Sequence, residues 1–173
     1  MHRYAFDRYV GCRLELPEAE PSLLVRPGAF GENLSTSGLT ERHICVGDLW
    51  RAGSTLLQVS QALQPCWKLN HRFAIADMAR RVQASGRTGW YSRIAEPGMI
   101  VPGDRLRLIE RPHPVWPLAR LLRVFYVDRL DRDALAGIAD LAALSPSWRE
   151  LARRRLDSGR AEDWTGWIET PRG

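Results

Sequence analysis

The sequence predicts a mixed α+β chain: a β-rich, barrel-like part over residues 1–110, then a small three-helix bundle. Three observations carry this. Short apolar runs of period two, separated by Gly- and Pro-containing turns, fill the first 110 residues. The segment RPHPVWP, residues 111–117, carries three prolines within six residues and breaks regular structure. Beyond it the apolar period changes to 3.6.

Near the start, AFDRYVGCRLEL is amphipathic and reads as helical, although Gly11 lowers its propensity. ICVGDLW (44–50) and TLLQVS (55–60) read as two strands around the turn RAGS, with Cys45 alternating between Ile44 and Val46. AIADMARRVQAS places Ile75, Met78, Ala79 and Val82 on one face, which predicts a single helix near 73–85 ended by Gly86. GWYSRI (89–94), MIV (99–101) and RLRLIE (105–110) read as further strands joined by tight turns. After the proline segment, PLARLLRVFYV and DALAGIADLAAL carry helical stripes. SWRELARRRL opens on Ser147 and Glu150 in the S-x-x-E spacing of a capping box. None of the three is long enough to be stable alone, so they are expected to pack together or on the barrel. The predicted organisation is therefore 1–110, a Pro-rich linker at 111–117, and a helical region at 118–173.

Composition excludes several classes. The 173 residues are 45% hydrophobic and 26% charged, ordinary for a soluble globular protein. No apolar run approaches the roughly 20 residues of a membrane span, and the start lacks an apolar signal core. Three cysteines, no CxxC and no secretory signal argue against a disulfide framework and for the cytoplasm. The net charge of +5 divides into +3 over residues 1–110 (14 minus 11) and +2 over 111–173 (11 minus 9). So even a spread argues against a nucleic-acid partner. The one cluster, Arg153-Arg154-Arg155, reads as a solvated helix end.

The chemistry concentrates in SQALQPCWKLNHRF, residues 60–73. Lys68 is the single lysine in a chain of 25 Lys and Arg, and it stands two residues from Cys66. The ordinary role of a cysteine is a small buried hydrophobe. Pro65, Lys68 and the polar neighbours Ser60, Gln61, Gln64 and Asn70 argue for an accessible loop instead. A neighbouring ammonium favours thiolate, which attacks carbonyl or sulfur centres, ligates soft metals or senses oxidants. His43 and His71 are not placed beside Cys66 by any local motif. Cys12 and Cys45 read as packing residues. A second segment, GAFGENLSTSGLTE (28–41), is either a surface turn or an anion cradle built on backbone N–H groups.

Four segments in order, FGENLSTSGLTE, VGDLWRAG, LLQVSQALQPCWKL and GRTGWYSRIAEPGMIVPGD, resemble the MOSC domain family. More narrowly, they are similar to its bacterial branch associated with resistance to 6-hydroxylaminopurine, in which a three-helix appendage follows the domain. The resemblance implies a β-rich barrel that holds a molybdenum–pterin cofactor (molybdopterin). It implies that Cys66 ligates molybdenum and that Lys68 takes part in catalysis and meets the cofactor's phosphate or the metal's oxo groups. It places Asn33, Ser35 and Gln61 as cofactor-binding residues. The implied activity is an oxidoreductase that removes oxygen from N-hydroxylated bases or related small molecules, with electrons from a reductase partner protein. The alternative is a sulfur or cofactor carrier module without turnover, or a degenerate copy. The family's His-Gly-Gly motif occurs nowhere in the 173 residues. That departure predicts an open barrel with unpaired strand edges, weak cofactor retention and a tendency to homodimerise.

Overall fold

The computed structural model describes residues 1–171. One six-stranded sheet organises them: β1 (His2–Ala5), β2 (Leu34–Thr36), β3 (Leu49–Ala52), β4 (Thr55–Ala62), β5 (Trp90–Glu96) and β6 (Leu106–Glu110). Its order is β2-β1-β5-β4-β3-β6. Every pairing is antiparallel except β1 with β2. The sheet curls into a half-barrel. Among the described residues no ladder joins its two edges, β2 and β6. A cleft of about 420 Å³ lies there, lined by Asn33–Thr36 on one side and residues 100–104 with Leu106 on the other.

Helices α1 (Asp7–Glu15), α2 (Lys68–Phe73) and α3 (Met78–Ser85) flank the sheet. Their apolar faces meet in a cluster of Tyr4, Tyr9, Phe30, Phe73, Met78 and Val82. The helix expected at 73–85 is shorter, running from Met78 to Ser85. Ala74 takes a left-handed conformation at φ 53° and closes α2, so two helices meet at a corner where one was predicted. Gly86, at φ 64°, ends α3 as expected.

Two predicted strands are shorter than expected or absent. Residues 44–46 form only an isolated bridge, Cys45 to Pro117, and β3 begins at Leu49. Residues 99–101 form no strand; they are a loop tied by Val101 N–H to Asp104.

Helices α4 (Leu118–Tyr126), α5 (Arg132–Ala139) and α6 (Pro146–Ser158) follow, then a short α7 (Thr165–Ile168). They share a core with the sheet, in which Val59, Trp90 and Trp116 join Leu121, Phe125, Ile138 and Trp148. The proline segment is docked by this packing. Trp116 is buried, Val46 N–H donates to its carbonyl (3.0 Å), and Arg111 makes two bonds to buried Asp48 (2.9 and 2.7 Å). The N-cap of α6 is Ser145, with Pro146 in the first turn, so Ser147 does not form the predicted capping box. Pro146 has no N–H to give and its fixed φ starts the helix early. Arg153 and Arg154 are exposed as expected, but Arg155 is buried. It donates to the carbonyls of Phe125 (3.0 Å) and Arg129 (3.2 Å) and pairs with Glu162. It thereby staples α6 to α4.

Candidate functional site

Cys66 stands between the end of β4 and the start of α2. Leu63 N–H, donating to Gly89 O (3.0 Å), fixes the chain leaving the strand. Leu69 N–H then donates to Cys66 O (3.0 Å), so the cysteine opens the turn that leads through the N-cap Trp67 into α2. Phe73 anchors the other end of that helix against Phe30, ring centroids 5.1 Å apart. Lys68 and Arg72 are one turn apart on α2 and therefore share a face.

A cavity of about 510 Å³ opens on this face. Its walls come from His2, the loop Gly28–Gly31, Leu63, Gln64, Cys66, Lys68, Leu69, Arg72, Tyr91 and Trp167. Cys66 is half-buried, whereas Cys12 and Cys45 are buried, and burial pushes both of their thiols up. His71 is exposed, packs on Trp67 at 5.4 Å and does not line the cavity.

His2 is buried against Tyr91, centroids 5.3 Å apart. Its Nε2 is buried and has no partner among the described residues. Burial lowers its pKa below the ordinary 6.5, outweighing the opposing pull of Gly31 and Glu32. Burial thus favours the neutral imidazole, and its Nε2 is turned toward Gly89.

The loop 28–31 is a tied turn, not a free amide cradle. Glu32 accepts from Gly28 N–H (2.9 Å) and Phe30 N–H (3.2 Å), and Tyr9 OH accepts from Ala29 N–H (3.0 Å). Gly31 N–H donates to Gly28 O (3.2 Å). A carboxylate of the chain itself occupies the donors that an anion would use. Gly28, at φ 108°, needs glycine for its conformation.

The remaining residues implied by the resemblance lie elsewhere. Asn33 Oδ1 accepts from His2 N–H (2.8 Å), and Asn33 N–H returns to His2 O (2.9 Å). Asn33 therefore sets the position of His2 from outside the cavity. It lines the edge cleft together with Ser35, whose Oγ is buried without a partner among the described residues. Gln61 is half-buried on β4 opposite Tyr91, next to a register shift, and does not line the cavity. The structure thus brings Cys66 and Lys68 together and leaves Asn33, Ser35 and Gln61 apart from them.

Reading the residues missed His2, Arg72, Tyr91 and Trp167. The Lys68-x-x-x-Arg72 spacing was available as a signal once α2 is recognised. Asn70 and Ser60, expected in an accessible polar loop, are instead buried, and Asn70 ties three segments together. Its Oδ1 accepts from Ala79 N–H of α3 (2.8 Å), and its Nδ2 donates to Ile168 O (2.9 Å) and Thr170 Oγ1 (3.3 Å). Asn70→Ala is expected to cost about 1–3 kcal/mol, because the Ala79 N–H and the Ile168 carbonyl lose their bonds to this side chain. Chemical denaturation checks this, and a midpoint equal to wild type would contradict it.

The chain matches known proteins along most of its length. Residues 1–107 match the MOSC domain, and residues 116–159 match the YiiM-like 3-alpha helix domain. Protein YiiM of Escherichia coli is 37% identical over 162 residues, covering 94% of this chain and 71% of that protein. A Gibberella moniliformis protein named Reductase is 36% identical over 159 residues, covering 91% of this chain but only 28% of that protein. The crystal structure of YiiM from Escherichia coli superposes with a TM-score of 0.91 at 34% identity, over 98% of this chain and 83% of that one. With this agreement of sequence and fold, the chain belongs to the MOSC domain family, with a YiiM-like three-helix domain after it.

Proposed function

We propose that the Cys66 cavity binds a molybdenum–pterin cofactor and that the protein reduces N-hydroxylated compounds. The observation that carries this reading is the meeting of one thiol, two cations and a neutral imidazole in one cavity of small-molecule size. Among the described residues no group of three or more His, Cys, Asp or Glu side chains could hold a bare ion. A lone thiolate suits a metal that arrives with most of its ligands on an organic carrier, and molybdenum takes soft sulfur donors. The residues present therefore fit the group.

When bound, the cofactor would supply two-electron chemistry at the metal. The overall change is R–NHOH + 2 e⁻ + 2 H⁺ → R–NH₂ + H₂O, with the electrons coming from a reductase partner. Cys66 would hold the metal as thiolate. Lys68 and Arg72 would attract the anionic phosphate, and Lys68 Nζ carries protons toward the departing hydroxyl. His2 would contribute to the wall beside Tyr91. No helix of the described residues is long and apolar enough to cross a membrane.

The test is anaerobic. Protein from a host that makes the cofactor is mixed with reduced viologen dye and 6-hydroxylaminopurine, and the amine product is measured. Amine formation at half the rate of dye oxidation, two one-electron dye molecules per amine, supports the reading. Molybdenum-loaded protein that forms no amine would sink it, and persulfide on Cys66 without molybdenum would mark a carrier instead.

A further inference from the structure

Trp167 belongs to α7, within the segment that follows the three-helix domain. The backbone around it is committed to the cysteine loop. Its carbonyl accepts from Trp67 N–H (3.0 Å), and the next carbonyl, of Ile168, accepts from Asn70 Nδ2 (2.9 Å). Ile168 is buried at 6% exposure, whereas the adjacent Trp167 is 50% exposed. Nearby indoles have ring partners: Trp164 meets Tyr126 at 6.2 Å and Trp67 meets His71 at 5.4 Å. Among the described residues no ring packs on Trp167, yet it forms a wall of the Cys66 cavity.

A large apolar plane held half-bare on an anchored backbone is an unfilled contact. The cavity already offers a second exposed ring, Tyr91, and two cations. We propose that Trp167 is the stacking surface that selects flat, nitrogen-rich aromatic ligands at the Cys66 cavity. This rests on the reading of that cavity as the reaction site. Stacking is tolerant of ring identity because every planar heterocycle presents a π-face. A purine-type substrate and a pterin share this chemistry. The α7 segment thereby acts as a strap, bringing an aromatic wall from beyond the helical domain to the thiol.

The experiment uses the full chain without molybdenum, so it does not depend on turnover. Adenine and neopterin are titrated in separate arms by calorimetry, beside cyclohexylhydroxylamine as a ring that cannot stack. Trp167→Ala is expected to raise Kd about five- to a hundredfold for the ring that Trp167 contacts. Trp167→Phe should keep most of the affinity, and Trp167→Leu should behave like Ala despite its apolar bulk. Melting temperatures should stay close to wild type, because the strap is held by its backbone and by Ile168. The arm that responds identifies the source of the ring, substrate or cofactor. The proposal is overturned if wild type binds neither aromatic ligand, if Kd is unchanged in Trp167→Ala, or if Leu serves as well as Phe. If the rings bind through Trp167 but molybdenum-loaded protein reduces nothing, only the reductase reading fails.

Discussion

Arg3→Met is expected to raise the melting temperature of the chain by several degrees. Arg3 is wholly buried on β1, opposite Trp90, and its guanidinium carbon lies 5.2 Å from that ring. Its Nε, Nη1 and Nη2 have no partner among the described residues. Burial lowers its pKa to about 10, with Asp48 pulling the other way, so it remains charged at neutral pH. Asp48 itself is spent on Arg111. A buried charge without a hydrogen-bonded partner is costly, and methionine keeps most of the stem's packing. Replacing even paired buried ionic groups with apolar ones of similar volume is often neutral or stabilising by about 1–4 kcal/mol. In a chain of this size each kcal/mol moves the midpoint by about 2–4 °C. A fall in melting temperature would show that a bound anion or water satisfies the guanidinium.

If the Cys66 cavity holds the proposed cofactor, Lys68→Ala is expected to weaken its retention by about tenfold at low salt, with the loss shrinking as salt rises. A hydrogen bond to a charged group is worth roughly 1.5–3 kcal/mol when sheltered. Lys68 is exposed at the cavity mouth, so solvent and salt screen it toward the low end. Lys68→Arg restores only part of the affinity. A guanidinium is a planar fork and does not replace a compact ammonium that must reach a phosphate or an oxo group as a point charge. Molybdenum measured after gel filtration at two salt concentrations reads the effect. A Lys68→Arg protein indistinguishable from wild type would remove the special role of the lysine.

Much of the architecture was legible because it rests on local periodicity. β3 to β6 carry period-two runs with turns between them, and α4 to α6 carry apolar stripes, so both the class and the change near residue 111 could be read. β1 was not legible, because His2 and Arg3 are buried where the pattern of a half-buried strand puts apolar residues. β2 was hidden in a polar loop, since its three residues gain their strand character only by pairing with β1. The corner at Ala74 defeated the helix reading because a non-glycine residue rarely adopts positive φ.

The candidate site divides the same way. Cys66 and Lys68 were visible as an unusual local pair. His2, Tyr91 and Trp167 reach the cavity from distant parts of the chain through strand pairing and the Asn70 bonds, which no local pattern encodes. Asn33 and Ser35 were read as cofactor-binding through the family resemblance, whereas Ser35 on β2 and Asn33 just before it line the cleft at the sheet edge.

The central claim is that Cys66 holds the metal of a molybdenum–pterin group in this cavity. Elemental analysis of wild type and Cys66→Ser, both purified from a cofactor-producing host, tests it most directly. A serine hydroxyl is a hard and weakly acidic donor, a poor substitute for a soft thiolate. Because the sheet is open between β2 and β6, retention in the wild type is expected to fall below one molybdenum per chain while standing well above background. The account predicts that Cys66→Ser drops to background. Wild type at background, or a serine variant carrying as much molybdenum as wild type, would contradict it.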